Sequence, residues 1–162
     1  EHTQKVSDAV KTAKKSKTDS AWEAAYKQEF FGGLYLNEKG EPCLPGEMLE
    51  AVICEGAKKS KQGKETKAGV IVDGLFPLEY KGPRDAEALW KAKFFKKAGV
   101  KVGQNRIIRT RPMFMKWACT FVVNFNPELV NKKDLIKHIE KAGAEVGVGD
   151  YRPRYGRFTV KL

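Results

Sequence analysis

MFMKWACTFVVNF, residues 113–125, places Met113, Met115, Trp117, Cys119, Phe121, Val123 and Phe125 at every second position. Successive side chains of a strand point to opposite faces, so a period of two over this length predicts the main β-strand of the fold. Asn126-Pro127 breaks it. Asn131 then caps a helix that turns Leu135, Ile136, Ile139 and Ala142 inward and Lys132, Lys133 and Lys137 outward, with Gly143 as its stop. The last residues, RFTVKL (157–162), alternate again, Phe158, Val160 and Leu162 on one side and the basic residues on the other. Strand, helix and returning strand make half of a split βαβ sheet, so the expected fold is α+β, ferredoxin-like or RRM-like, with helices on one face.

Upstream, Ser20 and Glu23 have capping-box spacing, and Trp22, Ala25, Tyr26 and Phe30 share the face of a helix that Gly32-Gly33 ends. Residues 34–36 read as a short strand, and Pro45 opens a second helix with Met48, Leu49, Val52 and Ile53 inside and Glu47, Glu50 and Glu55 outside. Residues 69–72 and 75–80 are short apolar stretches, and residues 85–97 predict a helix presenting Ala86, Leu89, Trp90 and Phe94. Residues 1–19 are polar and Lys-rich, a mobile basic arm or fraying helix; residues 20–162 read as one domain. The first residue is Glu, and the strand that would complete the sheet is expected at or before it.

The chain has 162 residues, 41% of them hydrophobic, enough for a packed core. Lys and Arg number 31 against 20 Asp and Glu, a formal net charge of +11, which attracts polyanions and makes nucleic acid the first partner class to consider. Cys43, Cys54 and Cys119 lack CxxC spacing, and two of them sit in apolar patterns, which suits buried thiols in a reducing compartment. No run approaches the roughly 18 apolar residues of a membrane span. A cytoplasmic location and no membrane partner are therefore expected.

Three segments could meet nucleic acid. Residues 58–67 (KKSKQGKETK) hold no apolar residue and read as a long exposed loop in which Lys58, Lys59, Lys61, Lys64 and Lys67 either track phosphates or simply face solvent. Residues 101–116 carry Lys101, Arg106, Arg109, Arg111 and Lys116 with no acidic residue, and Phe114 either offers its ring to a base or packs in the core. The block GVGDYRPRYGRF (147–158) interleaves Tyr151, Arg152, Arg154, Tyr155 and Arg157 with glycine. It suits a hairpin that stacks bases and grips phosphate together, or a structural hairpin in which Asp150 pairs with an arginine.

Catalytic chemistry finds little support. Gly63-Lys64 is followed by Glu65 where a phosphate loop needs a hydroxyl, and Gly147-x-Gly149 lacks the third glycine of a dinucleotide fingerprint. His2 and His138 have no Cys or carboxylate at ligand spacing, so no metal site and no cofactor are expected. A metal-dependent nuclease would have to gather Asp73, Asp85, Asp134 or Asp150 in space.

The segments GGLYLNEKG, LPGEMLEAVICEGAKKSKQGK, VDGLFPLEYKGPRD and VGVGDYRPRYGRF, with Arg111-Pro112 and Trp117, resemble a family of small bacteriophage and prophage proteins from about residue 28 onward. That family assigns no catalytic residues to carry over. More distantly, an RRM-like half with a basic loop and a glycine-rich closing hairpin is similar in architecture to the Cas7-type subunits that polymerise along single-stranded nucleic acid. Together these imply a non-enzymatic phage protein in the host cytoplasm that binds single-stranded DNA or RNA, as a homo-oligomer or filament. A virion or assembly protein acting through oligomerisation is the alternative.

Overall fold

Lys17 adopts a left-handed φ of 55°, and the next residue, Thr18, accepts from the Ala21 amide at 3.4 Å, so a helix starts at Asp19. Thr18 is thus the cap, where the Ser20 and Glu23 pair was expected. The computed structural model describes residues 2–162; the strand expected at or before residue 1 lies outside the described residues. In chain order the elements are α1 (His2–Ser16), α2 (Asp19–Gly32), β1 (Cys43–Pro45), α3 (Gly46–Lys58), α4 (Gly63–Gly69), β2 (Val70–Ile71) and β3 (Leu75–Pro77). They continue with β4 (Glu79–Tyr80), α5 (Ala86–Lys91), β5 (Phe95–Val102), β6 (Asn105–Pro112), β7 (Trp117–Ala118), β8 (Asn124–Phe125) and α6 (Lys132–Lys141), the last running into a π-helical turn (Ala142–Val146).

The protein is α+β, but its strands pair as four two-stranded antiparallel sheets, β1 with β3, β2 with β8, β4 with β7 and β5 with β6. The split βαβ sheet is therefore not formed among the described residues. The chain divides into two compact units, one built from residues up to Pro42 with Leu78–Ala118, the other from Cys43–Pro77 with Cys119–Leu162.

In the first unit α1 lies along α2 with Val6, Ala9, Val10 and Ala13 turned inward, so of the two readings of residues 1–19, arm or helix, His2–Ser16 form the helix. Phe30 of α2 is fully buried and meets Trp90 and Phe95 at ring distances of 5.5 and 6.1 Å, while Trp90 stacks on Phe95 at 4.3 Å. This aromatic cluster ties α5 and the root of β5 to α2. The helix expected over residues 85–97 stops at Lys91 because Lys93 turns left-handed at φ 61°, and Phe95 then opens a strand. Residues 34–36 contribute a single bridge, Leu36 to Pro42, in place of a strand.

In the second unit α3 carries Leu49, Val52, Ile53 and Ala57 into the core and packs against α4, α6 and the π turn. Val52, Ala142 and Val146 form a buried cluster covered by Val148 and Phe158. Gly143 does not end α6. It sits where any Cβ would lie 2.3 Å from the Phe158 carbonyl oxygen, and the helix passes through it as a π turn until Gly147, at φ 78°. Cys43 and Cys54 are buried and Cys119 partly so, all three as free thiols.

Two strands expected from alternation are not continuous. Over residues 117–125 every second side chain is half-buried, yet only Trp117–Ala118 and Asn124–Phe125 find ladder partners. Residues 157–162 alternate in burial as far as Val160 but pair with no strand. Alternation reports which side chains are covered; a ladder also needs a neighbouring backbone in register. The exposed loop expected over residues 58–67 is likewise reduced to a short turn, for Lys58 closes α3 and residues 63–69 are α4.

A polar anchor explains that order. Thr66 and His138 are buried, with the imidazole Nε2 donating to Gln62 Oε1 at 2.9 Å and Nδ1 facing the Thr66 hydroxyl at 3.4 Å. Burial lowers the His138 pKa from its ordinary value of 6.5, Asp134 opposing and Lys141 and Lys137 reinforcing that shift. Because the unfolded chain then binds the proton better, the His138 contribution to stability is complete above about pH 6.5 and is lost as pH falls through the folded-state pKa. Thermal midpoints are expected to fall between pH 7.5 and pH 5, and to fall less in His138→Gln; equal falls in both proteins would remove His138 as the cause.

Candidate nucleic-acid interface

The β5–β6 hairpin is the longest sheet in the molecule, with eight paired positions from Phe95↔Pro112 to Val102↔Asn105 and a turn at Gly103, φ 60°. Partners across an antiparallel pair share a face. One face therefore carries Lys97, Gly99 and Lys101 opposite Thr110, Ile108 and Arg106; the other carries Lys96, Ala98 and Val100 opposite Arg111, Arg109 and Ile107.

At its root the hairpin is held by a buried carboxylate. Glu29 of α2, only 4% exposed, accepts from the Thr110 amide at 2.9 Å and pairs with the Arg109 guanidinium. Lys97 donates to Glu23 at 2.8 Å and lies over the Tyr26 ring at 4.5 Å. Arg109 is thus drawn into an internal ion pair, although sequence placed it among the nucleic-acid contacts. Toward the tip the charges change character: Lys101 faces Arg106 across the ladder, both exposed, and neither has an acidic partner among the described residues. Residues 88–127 contain nine Lys and Arg and no Asp or Glu.

Arg111 and Lys116 belong to this same unit, Arg111 at the hairpin root and Lys116 exposed in the segment beyond it. Phe114 packs on Tyr80 and Phe94 at ring distances of 4.8 and 5.8 Å, and Arg84 lies over Tyr80 at 4.4 Å. The Phe114 ring is half-buried among these side chains.

The remaining residues singled out in the sequence fall in the second unit. Lys58, Lys59, Lys61, Lys64 and Lys67 are all exposed around the α3–α4 turn. Lys58 pairs with Glu55 at 2.8 Å, and Glu55, its pKa lowered chiefly by Lys58, also feels Arg152. The C-terminal loop closes through Val148 N–H to the Gly156 carbonyl and Arg157 Nε to the Pro153 carbonyl, both 2.9 Å, and has no ladder, so it is a compact loop in place of the expected hairpin. Tyr151 and Tyr155 meet edge to face at 6.4 Å, and Arg154 lies near the Tyr155 ring at 6.0 Å. Arg152 and Arg154 point to solvent.

Sequence reasoning missed the hairpin because residues 95–104 (FKKAGVKVGQ) have no strict alternation. The turn at Gly103-Gln104 between two basic strands was the available signal. It also missed Glu29, which looks like any other helical acid. Among the described residues no group of three or more His, Cys, Asp or Glu could hold a metal ion, and no helix is long and apolar enough to cross a membrane. The His2 side chain lies outside what is described. Compared with protein-family models, curated proteins and solved structures, the chain matches none.

Proposed function

We propose that this is a non-catalytic nucleic-acid-binding protein whose β5–β6 hairpin supplies the phosphate contacts. The observation that carries the reading is the acid-free stretch of residues 88–127, whose hairpin sets Lys101 directly against Arg106. Like charges placed opposite each other cost a few tenths of a kcal/mol, and that cost is offset when an anion lies beside them. The second unit carries exposed cations of its own, in the Lys58 to Lys67 turn and at Arg152, Arg154 and Arg157. The single-strand preference expected from sequence drew on Tyr151 and Tyr155, whose rings meet each other edge to face, so phosphate contact carries the reading more than base stacking. The resemblance to phage-encoded proteins adds a setting, the cytoplasm of an infected bacterium, and assembly of several copies along the nucleic acid belongs to the same proposal.

Fluorescence anisotropy with labelled oligonucleotides tests it. Affinity is expected to fall steeply between about 50 and 200 mM salt, and Lys101→Ala with Arg106→Ala to lower the logarithmic salt slope by roughly 0.9 for each phosphate that is no longer neutralised. Salt-independent affinity, or none for any DNA or RNA, rules the reading out.

A further inference from the structure

Resting on that reading, we infer that the nucleic acid is duplex DNA and that β5–β6 enters its wide groove as a two-stranded ribbon. Shape is the first ground. Past the root held on α2, the four pairs from Gly99↔Ile108 to Val102↔Asn105 make a ribbon tip roughly 13 Å long with strands about 4.8 Å apart, a size that the roughly 12 Å major groove of B-form DNA admits and the narrow major groove of A-form RNA does not.

Chemistry is the second. Beyond Lys97 and Thr110 one ribbon face consists of Gly99, Lys101, Arg106 and Ile108, with Ile108 half exposed. A cation pair flanking an apolar side chain suits a groove floor, where Lys and Arg reach guanine acceptors or phosphate walls and an aliphatic group meets the thymine methyl. Residues 96–112 contain no aromatic side chain, so the ribbon has no platform for the unstacked bases of a single strand.

The third ground is Gly99. Among the described residues nothing beyond its chain neighbours lies within 4 Å of where its Cβ would be, and its backbone is outside the left-handed region, so neither packing nor conformation there calls for glycine. Glycine inside a strand weakens it, and its recurrent use is to let another molecule approach the backbone. Here it bares the middle of the face that Lys101, Arg106 and Ile108 frame.

The test compares, by anisotropy, a duplex of roughly 20 base pairs with single-stranded DNA of the same length, duplex RNA, and duplex DNA whose major groove is filled by glucosylated hydroxymethylcytosines. Unmodified duplex DNA is expected to bind about tenfold more tightly than the other three. Equal or tighter binding of the single strand, or indifference to glucosylation, overturns the inference while leaving nucleic-acid binding in place; no binding to any probe removes both. Gly99→Val separates structure from function, because a β-branched residue suits a strand with open space around it. Its thermal midpoint should be unchanged or raised while duplex affinity falls about tenfold, and unaltered affinity would show that the ribbon face does not approach DNA.

Discussion

Glu29→Ala is expected to lose about 2–4 kcal/mol of stability and to free the β5–β6 hairpin from α2. The carboxylate is buried and satisfies two groups at once, the Thr110 amide and the Arg109 guanidinium. Removing it leaves a buried donor unpaired and strips the counter-charge from an arginine that is 33% exposed, and this exposure keeps the loss below that of a fully buried pair. Glu29→Gln, which retains an acceptor for Thr110, should lose less. Glu23→Ala, which breaks the more exposed pair with Lys97, should cost about 0.5 kcal/mol or less. Urea titration followed by tryptophan fluorescence measures all three, and hydrogen exchange along residues 95–112 locates the effect. A wild-type midpoint for Glu29→Ala would show that the hairpin is held by something other than this carboxylate.

Gly56→Ala should be comparably damaging, although alanine is the better helix former. A Cβ at Gly56 would lie 2.4 Å from the His138 carbonyl oxygen and 2.8 Å from the Ala142 Cβ, so α3 crosses α6 with the two backbones touching. Helix propensity favours alanine by about 1 kcal/mol, whereas overpacking against a rigid backbone costs about 3 kcal/mol or more, and the steric effect wins. In a chain of this length the net loss of about 2 kcal/mol lowers the melting midpoint by roughly 4–8 °C. Displacement of α6 would also pull His138 from Gln62 and Thr66, so the pH dependence of the midpoint should weaken in the same variant. An alanine variant as stable as the parent would mean that the helices do not approach this closely.

Burial was more legible in the sequence than pairing. The period-two pattern of residues 113–125 correctly divides covered from exposed side chains between Trp117 and Phe125, but partner strands are set by distant segments, and this segment divides its ladders between β4 and β2. The Asn131 cap and the Leu135 and Ile139 face of α6 were plain because cap and periodicity are local. The Lys58 to Lys67 run misled because the absence of apolar residues suggests an exposed loop, whereas Thr66 and Gln62 are fixed by a histidine more than 70 positions away. The cations of the candidate site were visible as charge. Which of them is neutralised internally depends on Glu29, whose burial no local pattern announces.

The chain leaves one compact unit for the other at Pro42, Pro77 and Ala118. During synthesis the hairpin-bearing unit therefore has all its parts only once residue 118 has emerged, and its companion only once the residues up to Leu162 have followed. Neither can be isolated by trimming one end. Excising the hairpin-bearing unit for study calls for a new peptide link between its two separated stretches, and C-terminal deletions should harm the companion unit while sparing every segment of the hairpin-bearing one.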